Sequence, residues 1–224
     1  GYTVTGIDDY AFMRCYELET IDLSGTQVET IGQQAFFQCT SLTSITIPDS
    51  VTTIDIFAFH SCSSLETIDL SGTQVTTIDE GVFQNCTSLT SIDLGNSVRT
   101  IGHFAFRECS SLASVDLGNS LETIGYAAFY QCTSLTSITI PDSVTTITSD
   151  AFSNIASSST VTVKDVDPNK TPIQGLEYIG GPGLDHGSDG GLMDGKISGT
   201  VTYQLILTST PLAPYLFDVS YAYD

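Results

Sequence analysis

The chain has 224 residues, 41% of them apolar, and carries six Lys+Arg against 26 Asp+Glu for a net charge of −20. That charge argues against nucleic acid or anionic lipid as a partner and leaves basic partners or cations electrostatically favoured. No apolar run reaches the length of a membrane-spanning helix, and no basic segment leads into an apolar stretch at the start, so neither a bilayer span nor a signal peptide is expected.

In chain order, one block of about 23 residues recurs seven times. Its anchors are Phe12–Cys15, Phe36–Cys39, Phe59–Cys62, Phe83–Cys86, Phe106–Cys109 and Phe129–Cys132, then Phe152 with Ile155 in the cysteine's place. A fixed period in this range predicts a solenoid, in which each coil buries its apolar face against its neighbours. The first copy is partial. Val4, Ile7 and Phe12 match Val28, Ile31 and Phe36, so the chain opens within a repeat, without the leading strand.

Residues 42–62 show the internal pattern. Ile45 and Ile47 alternate with Ser44 and Thr46, which predicts a strand with one buried face. Pro48-Asp49-Ser50 predicts a turn. Val51 and Ile54 form a second apolar pair. Ala58, Phe59 and Cys62 then fall at i, i+1 and i+4, a spacing that predicts a short helical turn. The residue before that turn is Asp8, Gly32, Asp55, Asp79, Gly102, Gly125 or Thr148, all favoured helix N-caps. The turn after the first strand is Pro-Asp-Ser or Gly-Asn-Ser in 23-residue copies and Ser-Gly-Thr-Gln (Ser24, Ser71) in 24-residue copies.

Six cysteines in a short chain suggest disulfides, but here each holds the same place in its own coil. Equivalent side chains on stacked coils run parallel, which suits packing of reduced thiols better than bridging. The spacing also lacks the clustered ligands that zinc requires.

The pattern Leu-x-x-Ile-x-Ile-Pro-x-Ser-Val-x-x-Ile-x-x-x-Ala-Phe-x-x-Cys resembles the BspA-like (Treponema-type) leucine-rich repeat family over residues 1–163. The resemblance implies an α/β leucine-rich repeat solenoid, with a parallel β-sheet and short helical turns. It further implies an extracellular or cell-surface location and a role in adhesion or protein binding. The family has no shared catalytic residues and no cofactor, so no enzymatic activity is expected.

The seventh copy keeps Val161 and Val163 at strand positions but loses the leading Leu to Ser158. Residues 164–196 are polar, then rich in Gly and Asp, and read as a linker or loop. Asp185, Asp189 and Asp194 within it are weak calcium candidates whose spacing fits no EF-hand loop. Residues 197–224 form a C-terminal β extension, with strands expected at 197–208 and 216–223. Asn169 and Asn85 fit glycosylation acceptor patterns.

The exposed strand positions define the candidate binding face. One column is Thr20, Ser44, Thr67, Ser91, Ser114 and Ser137; the other is Asp22, Thr46, Asp69, Asp93, Asp116 and Thr139. A face this polar suits a basic or hydroxyl-rich partner, or calcium, or only solvation, and it lacks the aromatic and Arg anchors common at interfaces. His60, His103 and His186 share no repeat position and read as surface polar groups. The expected partners are other proteins, including copies of the same chain. Two alternatives accompany this reading: a structural subunit joined through its N-terminal edge and C-terminal strands, and a targeting module of a larger enzyme.

Overall fold

The computed structural model describes residues 3–148, 150–156 and 159–163, together with three later strands. The chain alternates two kinds of strand. In order these are β1 (Gly6–Ile7), β2 (Thr20–Asp22), β3 (Thr30–Ile31), β4 (Ser44–Thr46), β5 (Thr53–Ile54), β6 (Thr67–Asp69) and β7 (Thr77–Ile78). They continue with β8 (Ser91–Asp93), β9 (Thr100–Ile101), β10 (Ser114–Asp116), β11 (Thr123–Ile124), β12 (Ser137–Ile140), β13 (Thr146–Ile147) and β14 (Thr160–Val163). The even-numbered strands stack as one parallel ladder, ordered β2-β4-β6-β8-β10 and then β12-β14. The odd-numbered strands stack as a second, ordered β1-β3-β5 and then β7-β9-β11-β13. Register is strict within each ladder: Ile68 sits beside Ile92 and Ile124 beside Ile147, so every coil turns the same residues inward.

The solenoid is as the period predicts, but among the described residues the short helical turns are not there. From each Ala-Phe pair to the cysteine the backbone runs as a chain of tight turns. Ala35 N–H donates to Gly32 O, Phe37 to Gln34 O and Cys39 to Phe36 O, each three residues back. The alternate amides turn outward: Gln34 N–H donates to Ile56 O, Phe36 to Ala58 O and Gln38 to His60 O of the next coil. A helix would keep all of these bonds within one coil. Left-handed residues at intervals of four, such as Gln34 and Gln38, Phe57 and Ser61, or Phe104 and Glu108, reverse the backbone before a helix can propagate. The spacing i, i+1, i+4 fits this path as well as it fits a helix.

The supposed N-caps therefore serve the turns. Asp55 and Asp79 each accept a bond from the next residue's N–H through Oδ1. At Gly125 a Cβ would stand 2.6 Å from the Gly102 carbonyl carbon, so glycine allows adjacent coils to approach there.

The core is a set of stacked columns. Phe12, Phe36, Phe59, Phe83, Phe106, Phe129 and Phe152 lie ring on ring, with centroids 5.1–5.6 Å apart and planes within 13° of parallel. Five cysteines are buried, and Cys15 is exposed. At that end Val4, Tyr10 and Tyr16 are also exposed. All six cysteines are free thiols.

Three further strands, β15 (Leu176–Tyr178), β16 (Thr200–Leu205) and β17 (Phe217–Ser220), form an antiparallel sheet with β16 in the centre. β15 falls within the stretch 164–196 that reads as a linker, while β16 and β17 fall within the two expected C-terminal strands. β17 lies close to β14.

Candidate functional site

The first ladder brings both predicted columns to the surface in register. Thr20 pairs with Ser44, Thr67 with Ser91, and Ser91 with Ser114; Asp22 pairs with Thr46, Asp69 with Asp93, and Asp93 with Asp116. The twelve side chains are exposed, except for a half-buried Ser91. Ser137 and Thr139 lie on β12, which is not paired to β10.

Each aspartate in the second column has a structural task. Asp22 Oδ1 accepts the Ser24 N–H at 2.8 Å, Asp69 the Ser71 N–H at 2.8 Å, Asp93 the Gly95 N–H at 2.8 Å and Asp116 the Gly118 N–H at 3.0 Å. The carboxylate thus holds the turn that follows the strand. Where the column carries Thr46 and Thr139, the residue two positions on is Pro48 or Pro141, which has no N–H to offer. The alternation of Asp and Thr is therefore set by turn chemistry, and it was readable in the sequence. The Ser24 bond holds the Asp22 carboxyl below its ordinary range, and the Ser71 bonds do the same for Asp69.

The ladder is open at one place. Among the described residues no pairing joins β10 to β12, and a shallow recess of about 450 Å³ lies there. Ser91, Asp93, Val115, Asp116, Thr139 and Pro141 line it. Val115 stands where Ile68, Ile92 and Ile138 stand in neighbouring coils and is partly exposed, whereas Ile92 and Ile138 are buried.

The opposite side of the coils carries what the strand face lacks. Residues just before and after each core phenylalanine form an outer surface on the connecting turns. Phe37 stacks on His60 at 5.0 Å, and Phe57 meets His60 edge-on at 5.7 Å. Two coils on, the Arg107 guanidinium lies 5.5 Å from the Phe104 ring and 5.3 Å from the Tyr130 ring, and pairs with Glu108 at 3.0 Å. Tyr126 packs edge-on against Phe104 and is exposed. Aromatic residues and arginine of this kind anchor many protein interfaces. The sequence carried a signal for this patch, since these positions flank the anchor phenylalanine in register.

The histidines play separate roles. His60 Nδ1 is buried without a partner, and burial lowers the affinity of His60 for a proton against the opposing pull of Gln84 and Glu108. His103 Nδ1 accepts the Tyr126 N–H at 2.9 Å. Among the described residues no group of His, Cys, Asp and Glu could hold a metal ion, and no helix is long and apolar enough to cross a membrane. Asn85 lies in a left-handed turn beside buried Cys86. Asp185, Asp189, Asp194, Asn169 and His186 lie outside the described residues.

The repeats match the BspA type leucine rich repeat region, in six copies, over residues 5–115 and 76–171. The chain belongs to the BspA-type leucine-rich repeat family. A leucine-rich repeat protein of T. pallidum is similar in structure, at 31% identity and a TM-score of 0.59, covering 69% of this chain and 73% of that one. A leucine-rich repeat protein from Eubacterium ventriosum is similar at 30% identity and a TM-score of 0.55 over 65% of this chain. The chain spans 37% of the Eubacterium protein's length. No curated protein matches the chain.

Proposed function

We propose that this BspA-type repeat protein is a non-enzymatic, extracellular protein-binding module, working at a cell surface and using the polar strand face. The observation that carries this reading is the exposed face itself: Thr67, Ser91 and Ser114 beside Asp69, Asp93 and Asp116, in register on paired strands and free of bulky side chains. A continuous, rigid, acidic surface suits an extended basic segment of a partner. Membership of the family supports a protein-binding role, and the cell-surface location is the one that the repeat family's resemblance implies.

A second reading places the partner on the connecting turns, where Phe57, His60, Phe104, Arg107, Tyr126 and Tyr130 supply aromatic and cationic anchors.

Surface plasmon resonance of the immobilised full chain against purified extracellular proteins separates the two. The strand-face reading expects a binder whose affinity falls at least about tenfold in the Asp69→Lys/Asp93→Lys variant and holds in Arg107→Ala. Loss confined to Arg107→Ala moves the site to the connecting turns. Absence of any binder overturns both.

A further inference from the structure

The break between β10 and β12 is one-sided. On the second ladder the same two coils remain joined, with Ile124 beside Ile101 and Ile147. On the connecting turns Phe106 N–H donates to Ala128 O and Glu108 N–H to Tyr130 O. The Phe106 and Phe129 rings stack at 5.1 Å, and the Cys132 thiol donates to Phe106 O. Two sides of the stack are closed, and only the strand face opens. The column residue beside the opening is Val115, one methylene smaller than Ile92 and Ile138 on either side; Val161, the other valine of the column, lies on a strand that stays paired to β12.

The opening has two chemical parts. Its floor is apolar: Val115 is partly exposed, with Ile92, Leu117 and Pro141 around it. Its rim carries the carboxylates of Asp93 and Asp116, on paired neighbouring strands about 4.8 Å apart. Like charges directly opposite each other repel, and the ion pairs among the described residues, Arg99–Glu122 and Arg107–Glu108, lie elsewhere. Both carboxylates are already held by the Gly95 and Gly118 N–H groups, so little rotamer freedom remains to be lost on binding.

An apolar floor beneath a fixed anionic rim complements a side chain with an aliphatic stem and a cationic head. Resting on the strand-face reading above, we infer that this recess is the anchoring pocket of that face, and that it takes a lysine or arginine side chain from an extended basic segment of a protein partner. The remaining columns then keep the segment in place without supplying much of the affinity.

The test is an NMR titration of the full isotope-labelled chain with a short alternating Lys-Ser peptide, and with the same peptide acetylated on its lysines. The expected result is amide shifts grouped at 91–93, 114–118 and 139, absent with the acetylated peptide. Val115→Ile fills the floor and leaves every charge in place; Asp116→Asn removes one rim charge. Each should weaken binding about tenfold, while Asp22→Asn, at the far end of the same column, should not. Val115→Ile introduces the residue that the neighbouring coils carry at Ile92 and Ile138, so it should fold at least as stably as the parent. Shifts spread evenly along Asp22, Asp69, Asp93 and Asp116, unaffected by Val115→Ile, would overturn the pocket but leave the strand face as the binding surface. Shifts on the connecting turns, or none, would overturn both.

Discussion

The Cys62 thiol donates to the carbonyl oxygen of Phe36, one coil back, at 3.1 Å. The same contact recurs from Cys39 to Phe12, Cys86 to Phe59, Cys109 to Phe83 and Cys132 to Phe106. Each Phe carbonyl also accepts the N–H of the cysteine in its own coil. The cysteine column therefore links each coil to the one before it, as well as filling core volume. Cys62→Ala should cost about 1–2 kcal/mol in denaturant unfolding, through lost packing and one under-satisfied carbonyl.

The thiols differ in access. Cys15 is exposed and the other five are buried. A colorimetric thiol reagent should modify one cysteine per native chain rapidly and all six only after unfolding. Fast modification of several thiols in the native state would contradict the stacked column.

Burial also pushes the thiol pKa values up from the ordinary 9.0, to about 11 at Cys39 and about 12 at Cys132, and well above 9.0 at Cys86 and Cys109. The folded state thus keeps protons that the unfolded chain gives up. Their contribution is full below pH 9.0 and is lost as pH rises from there through the folded-state values. The melting temperature should fall between pH 9 and pH 11. The loss should shrink in a Cys86→Val/Cys109→Val variant compared at the same pH values.

The carboxylate column supplies a prediction about turns. Asp69 Oδ1 holds the Ser71 N–H, whereas Thr46 precedes Pro48. Asp69→Ala should cost about 1 kcal/mol, while Thr46→Ala should be close to neutral in the same unfolding measurement. Equal costs would show that the column is not set by the turns.

Much of this is legible in the sequence. Phe12 to Phe152, spaced by a near-constant period, dictated a stack, and Ser44-Ile45-Thr46 dictated which side chains face outward. The helical turns failed for a physical reason. The spacing of Ala58, Phe59 and Cys62 cannot distinguish a helix from consecutive turns, and the left-handed residues that decide the matter, Phe57 and Ser61, are not glycines. The exposure of the candidate columns follows from strand alternation, and the turn-holding role of Asp69 and Asp93 follows from the comparison with Thr46 and Thr139, which precede Pro48 and Pro141 by two residues. The recess was not legible, because a single methyl difference at Val115 has no consequence until coils are stacked. The aromatic patch around Arg107 stands on the connecting turns, where strand alternation gives no guide to which side chains meet.

Gly118 tests the closeness of the coils. Its φ is +61°, and a Cβ there would collide with the Gly95 carbonyl. Gly118→Ala should destabilise the chain by about 2–3 kcal/mol, seen as a lower denaturant midpoint. A neutral effect would mean that neighbouring turns lie further apart than described.

The claim that the strand face binds a protein partner meets its most direct test in hydrogen–deuterium exchange on a complex with any binder found by surface plasmon resonance. Protection should concentrate in peptides spanning Thr67–Asp69, Ser91–Asp93 and Ser114–Asp116. Protection confined instead to peptides around Phe57–His60 and Phe104–Arg107, with the strands exchanging as in the free chain, would contradict it.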